Sequence, residues 1–316
     1  MFDFIFHADW SCEADKRWAA AAHRNSKGWI VSTPQPLRDN GDTLGLIYLA
    51  QRQRRRALFG FDFPIGIPRA YGTQTQFTGF DEALSQFGHG EWKHFFNVTD
   101  DPNDVSLVRP FYPSTSRAGR RHADLCGPLN VASIDELRRT CERKTPHRPA
   151  ACPLFWTLGG SQVGKAAIDG WQNIIVPALA LGASLWPFDG RLEKLSELRG
   201  SVLCETYPRE AYAHLGILFR ANESKKNQEH RRRVLSNIIV WAREKTITFA
   251  PTAEAQVLDG FGPSKFGEDA FDAFVGLLSM IDVVDGRRPE RGEGVNRRAN
   301  LTPDRLPILT PLSGVA

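Results

Sequence analysis

No apolar run in this sequence is long enough to cross a bilayer; the longest, such as residues 174–185, falls well short of the ~20 residues that a membrane helix needs. A membrane protein is therefore not expected. CxxC pairs are also missing. The five cysteines, Cys12, Cys126, Cys141, Cys152 and Cys204, are odd in number and widely spaced. That argues against a zinc site or a disulfide framework and points to a reducing cytoplasm. The first residues show no basic stretch and no cleavage site ahead of the strand-like run Phe2-Asp3-Phe4-Ile5-Phe6, so secretion is not expected. A strong charge of one sign is absent too. With a formal net charge of only +4, global charge makes no case for nucleic acid.

What is present is ordinary in bulk and uneven in distribution. The 316 residues, 41% hydrophobic and 24% charged, allow one large domain or two small ones around a sizeable core. Eight Trp and twenty Phe, several beside Gly and Pro, predict well-packed loops, with disorder expected only after Gly286. Basic clusters occur at residues 52–56, 117–122, 138–148 and 225–233. Each alone is more often a solvated helix face than a phosphate contact; together they permit, without demanding, a basic rim around an acidic site.

Periodicity predicts a first strand over residues 2–9, then strands over 16–23 and 28–33 at hairpin spacing, with Asn25-Ser26-Lys27-Gly28 as the turn. A helix is expected over 42–56 with Asp42 as its N-cap and arginines in its last turns. The apolar runs 57–62 and 202–206 read as buried strands. Helices are expected over 163–181, bent at Pro177, over 225–245, and over 268–284, where Phe271, Phe274, Val275, Leu278 and Ile281 form one stripe. Residues 77–153 are loop-rich, aromatic and basic, and read as an insertion with short helices, one near 134–144. A meander followed by alternating helices and apolar strands predicts a mixed sheet with helices on both faces.

Carboxylates recur at strand ends. Asp9 closes the first strand, Asp62 another and Glu205 a third, while Asp269 and Asp272 share one face at the start of the last helix. Ligand sites in open α/β sheets lie where strand ends meet. Acids gathered there would repel one another unless a cation neutralised them, and hard oxygen donors select Mg²⁺ or Mn²⁺. Each acid also has a plain structural reading. Asp9 and Asp62 could organise turns, Glu205 could pair with an arginine, and Asp269 with Asp272 could complement the helix dipole.

The ordered segments His7-Ala8-Asp9-Trp10-Ser11, Gly60-Phe61-Asp62-Phe63-Pro64-Ile65-Gly66-Ile67-Pro68 and Cys204-Glu205-Thr206-Tyr207-Pro208-Arg209-Glu210 carry a resemblance. So do Lys225-Lys226 with Arg231, and Glu268-Asp269-Ala270-Phe271-Asp272-Ala273-Phe274. Over residues 1 to about 285 the chain resembles the predicted RNase H-like nucleases catalogued as domain of unknown function 429. Its last helix is also similar to that of Holliday-junction resolvases. The resemblance implies an RNase H-like fold with acids at Asp9 on the first strand, Asp62 on the fourth, and Asp269 and Asp272 on the helix. The long segment between Asp62 and Glu205 departs from the compact form of that fold and is expected to supply substrate selectivity.

Together these readings lead to an RNase H-like mixed five-stranded sheet over residues 1–285, flanked by helices, with the insertion inside it and a tail over 286–316. The expected activity is metal-dependent hydrolysis of nucleic acid, with Asp9, Asp62, Glu205, Asp269 and Asp272 holding Mg²⁺ or Mn²⁺. Lys165, Lys225 and Arg231 would meet phosphate. Lys165 belongs to Gly159-Gly160-Ser161-Gln162-Val163-Gly164-Lys165-Ala166, nearly a P-loop, but Ala166 stands where a Ser or Thr would ligate Mg²⁺. Trp10 could stack on a base or sit in the core. Two alternatives stay open: a phosphotransferase of the actin and sugar-kinase type, and a non-catalytic nucleic-acid-binding module. The first needs a glycine in the phosphate loop after the first strand, which Asp9-Trp10-Ser11-Cys12-Glu13 lacks.

Overall fold

The computed structural model describes residues 1–116, 119–144, 149–159, 163–263 and 267–288. The expected tail lies outside the described residues from 289 onward, as do 160–162 of the glycine-rich turn and parts of two basic clusters, 117–118 and 145–148.

Strands β1 (Phe4–Asp9), β2 (Trp18–Asn25) and β3 (Gly28–Val31) form the expected antiparallel meander. Its turn is held by Asn25, whose side-chain oxygen accepts from the Lys27 amide. A two-residue strand β4 (Gln35–Pro36) pairs with the start of β2. Helix α1 (Asn40–Arg52) is capped by Asp39, whose carboxylate accepts from the Gly41 amide; Asp42 lies inside the first turn. Strand β5 (Ala57–Phe61) returns parallel to β1, and α2 (Arg69–Thr75) and α3 (Phe80–Gln86) follow. The helix expected near 134–144 is instead two 3-10 turns, Ile134–Leu137 and Thr140–Glu142.

Helices α4 (Val163–Gly170) and α5 (Val176–Ala180) are joined by a π-helical turn, Trp171–Ile175. Pro177, which has no N–H to give the helix, is the second residue beyond that wider turn. Then come β6 (Ser184–Leu185), α6 (Leu192–Glu197), β7 (Ser201–Glu205) and α7 (Pro208–Ala211). The single helix expected over 225–245 is two, α8 (Gln228–Leu235) and α9 (Ile238–Glu244). Asn227 caps α8, accepting from the His230 amide, so Lys225 lies in the turn before it. Strand β8 (Ile247–Phe249), α10 (Pro251–Leu258) and α11 (Gly267–Val284) complete the described chain.

The mixed sheet has eight strands rather than the expected five, in the order β6-β7-β5-β1-β2-β3-β8 with β4 on β2. The extra strands β4, β6 and β8 are two or three residues long, too short to leave a pattern in the sequence. Side chains alternate between two apolar layers. Phe6, Ala8, Phe59, Phe61 and Leu203 pack with α1, the α4–α5 rod and the middle segment. Ile5, Leu58, Val202 and Cys204 pack with α11 and its neighbours.

Helix α11 is buried nearly all round, not along one stripe. Fully covered residues such as Phe271 and Phe274 each contribute roughly 1.5–3 kcal/mol of hydrophobic stabilisation. Gly276 brings this helix onto the sheet, since a Cβ there would collide with the ring of His7. His7, wholly buried in the middle of β1, is accepted at Nδ1 by the Ala273 carbonyl (2.9 Å) and meets Thr206 Oγ1 at Nε2 (2.7 Å). A carbonyl can only accept, so Nδ1 carries the proton and Thr206 donates to Nε2. One ring thus fixes α11 against β1 and the end of β7.

Candidate functional site

Register decides which acids meet. In β1, Ile5 faces the α11 layer and Phe6 the other, so alternation brings Asp9 to the α11 side. In β5, Leu58 faces α11, and the same parity brings Asp62 to that side. The ladder continues far enough to hold it, with the Asp62 amide donating to Ala8 and the Thr206 amide to Phe61. Helix α11 supplies Asp269 and Asp272 from its first turns. Four of the five expected acids therefore lie on the α11 side of the sheet; the fifth, Glu205, still acts on Asp62 through space.

The cost of this crowding falls on their protonation. Burial, then the neighbouring carboxylates Asp272 and Asp62, hold Asp9 well above the usual carboxylate range. Burial and Asp272 push Asp62 up to about 7, and burial and Glu268 do the same for Asp269. None of Asp9, Asp62 and Asp269 has a hydrogen-bond or ion-pair partner among the described residues. Asp272 is different. It is buried, accepts from the Tyr212 hydroxyl at one oxygen, and pairs with the Lys225 ammonium at the other. Tyr212 lies on a 3-10 turn after α7, and burial with Asp272 nearby raises its phenol well above the ordinary value.

Glu205 is treated otherwise. In β7, Val202 and Cys204 face α11, so Glu205 faces the opposite layer with Leu203. There it meets Arg139 of the middle segment in a two-pronged pair, with Nη2 to Oε1 at 2.8 Å, and accepts from the Ile65 amide at 2.7 Å. Arg139 also holds Glu142 (2.7 Å) and donates to the Ile65 carbonyl (3.1 Å). All three charged residues are buried. The arginine pairing open to Glu205 on sequence grounds is what the structure contains. Arg139 itself, read from the 138–148 cluster as a surface cation, is a core residue.

The expected phosphate contacts divide in the same way. Lys225 is half-exposed and stands on Asp272. Arg231 is buried, and its guanidinium is committed to the backbone carbonyls of Gly260 (2.7 Å), Gly262 (2.6 Å) and Lys225 (2.5 Å). It holds the turn that carries Lys225 rather than facing solvent. Lys165 lies in the first turn of α4. One turn further on, Asp169 accepts from Trp10 Nε1 and Arg17 Nη2, both at 2.8 Å, and so docks α4 beside the residue that follows Asp9. Trp10 is buried between Phe61, Phe63 and the Arg17 guanidinium, a core residue with no free face for a base.

Two residues at the site carried no functional signal in the sequence. Tyr212 follows α7 without a motif of its own. His7 stood inside the quoted His-Ala-Asp segment, but an isolated histidine in a strand reads as core.

A divalent cation can be tested against this donor set. The donors are oxygen only, from two strand ends and one helix, and three have no hydrogen-bond or ion-pair partner among the described residues, which suits a hard ion. As arranged, no group of three or more His, Cys, Asp or Glu residues is set to hold a metal among the described residues. Lys225 meets Asp272 instead. In comparison with known proteins, the chain matches no family model, no curated protein and no solved structure.

Proposed function

We propose that this chain is a divalent-metal-dependent phosphodiester hydrolase acting on nucleic acid, built on an RNase H-like core and working in the cytoplasm. The observation that carries the reading is the convergence of Asp9, Asp62 and Asp269, without hydrogen-bond or ion-pair partners among the described residues, next to Asp272. The sheet adds to it: in the order β7-β5-β1-β2-β3, with β1 parallel to β5 and antiparallel to β2, the ends of β1 and β5 that lead to Asp9 and Asp62 lie side by side. No helix among the described residues is long and apolar enough to cross a membrane, and none of the five cysteines is in a disulfide.

Asp9, Asp62, Asp269 and Asp272 would hold Mg²⁺ or Mn²⁺, and the bound ion would supply an attacking hydroxide at neutral pH and stabilise the leaving oxygen. The chain's own work is positioning. His7 sets α11 against β1, and Arg231 sets the turn of Lys225. Lys165 and Lys225 remain the side chains suited to phosphate. Glu205, neutralised by Arg139, would anchor the middle segment to the sheet at the edge of the site.

The test is a panel of single-stranded, duplex and branched DNA and RNA incubated with Mn²⁺ or Mg²⁺. Cleavage of at least one member, abolished by EDTA, is expected. Cleavage that persists in EDTA, or none of any member, contradicts the proposal. The Lys225–Asp272 pair favours a second reading, a non-catalytic nucleic-acid-binding module in which the ammonium serves as the permanent counter-ion. Absence of Mn²⁺ binding in a calorimetric titration, with nucleic-acid binding retained, would establish that one.

A further inference from the structure

We infer that Lys225 is a tethered counter-ion that occupies the acidic site in place of a divalent cation, and that loading the site requires its ammonium to leave Asp272. The inference rests on the proposed metal site and adds a regulatory device to it.

The geometry separates a fixed backbone from a movable head. The Lys225 carbonyl accepts from Arg231 Nη1, and Arg231 is locked by the Gly260 and Gly262 carbonyls. Gly267, the first residue of α11, lies so close to this guanidinium that a Cβ would collide with it. The turn is thus clamped to the start of the helix that bears Asp269 and Asp272. The Lys225 side chain has a long flexible stem and 38% exposure, against 7% for Asp272. It can swing to solvent without disturbing the clamp. Asp272 cannot follow it, because the Tyr212 hydroxyl holds its other oxygen.

Charge gives the device its direction. Four carboxylates crowd around the Lys225 ammonium, with Lys16 and Arg231 acting on Asp269 and Asp272 only through space. The contact with Asp272 leaves Asp9, Asp62 and Asp269 without a hydrogen bond or ion pair among the described residues. A divalent ion offers twice the charge and several coordination positions, where the ammonium offers one charge and three hydrogens. The two cations compete for Asp272. Metal binding would free the ammonium at the mouth of the site, where an anionic substrate must arrive, so an event at the metal would create a phosphate contact. Competition of this kind lowers apparent metal affinity by the fraction of molecules in which the site is open.

Calorimetric titration of Mn²⁺ into the parent protein, Lys225→Met and Lys225→Arg tests this. Methionine keeps the stem and removes the charge; arginine keeps the charge. Lys225→Met should bind Mn²⁺ about tenfold more tightly than the parent, while Lys225→Arg stays close to it. The metal-free Met variant should also melt lower than the parent, and Mn²⁺ should raise its melting temperature more. If Met does not yield a cooperative melt, Lys225→Gln carries the same expectation. Equal or weaker binding by the uncharged variant, with the parent binding well, overturns the counter-ion role and leaves the metal site standing. Failure of every form to bind Mn²⁺ overturns both.

Discussion

Asp62 and Glu205 stand one rung apart on neighbouring strands, since Phe61 is the register partner of Glu205, yet the protein treats them in opposite ways. Glu205 has its oxygens filled by a buried arginine and an amide, with a second carboxylate, Glu142, sharing that arginine. Asp62 has no hydrogen-bond or ion-pair partner among the described residues, and the charges that act on it are Asp272 and Glu205, only partly offset by Lys225. A carboxylate at a strand end is therefore not by itself a ligand. What separates the two is the face of the sheet on which a one-residue offset puts them. One face brings Arg139 from inside the chain; the other holds a crowd of acids on which Lys225 makes the one direct ion pair among the described residues, Lys16 and Arg231 acting only through space.

The comparison breaks first at Arg139. Arg139→Met leaves Glu205 and Glu142 buried without their cation, so it should cost ~3–5 kcal/mol, read as a shift in the urea midpoint. A loss below ~1 kcal/mol would mean that the pair is not what clamps the middle segment. Next comes the contrast itself. Glu205→Gln loses a charged partner inside that clamp and should cost ~1–3 kcal/mol. Asp62→Asn removes a repelling charge, so the metal-free variant should be as stable as the parent or more so, a pattern common at functional sites. Equal destabilisation by the two substitutions would erase the distinction.

The smallest effect is in pH. Asp62 and Asp269 titrate near 7 in the folded chain and near the ordinary carboxylate value when unfolded. Between about pH 4 and 7 the folded state therefore holds more protons, and stability contributed by these groups falls as pH rises. His7 acts in the opposite sense. Burial depresses it to about 4, so its contribution falls as pH drops from 6.5 toward 4. The parent profile should be flattened by this opposition. The stability gap between Asp62→Asn and the parent should widen from pH 4 to 7, as measured by urea denaturation at each pH. A gap that does not change with pH would place Asp62 outside the crowded cluster.

Much of this architecture was legible in the residues. The meander, the strands ending near Asp62 and Glu205, and the helix bearing Asp269 and Asp272 follow from alternation and apolar runs longer than four residues. The added strands are too short for such a pattern, and the break between α8 and α9 falls at Ser236 and Asn237, neither a strong helix breaker. The site was legible as a set of acids but not as a division among them. Counting parity from Leu203 to Glu205 and from Leu58 to Asp62 would have separated the two, had their pairing been known; register is a long-range property. Arg139 and Arg231 were beyond reach for a related reason. An arginine in a basic cluster reads as solvated, and only tertiary contacts show that one neutralises Glu205 and the other closes on three carbonyls.

The central claim is that the acids on the α11 face await a cation from outside, and Mn²⁺ titration of the parent and Asp62→Asn by calorimetry tests it most directly. The parent should bind Mn²⁺, and Asp62→Asn should bind it at least about tenfold more weakly while remaining folded, a difference of ~1.4 kcal/mol. Undiminished Mn²⁺ binding by Asp62→Asn, or no binding by the parent, would contradict the account.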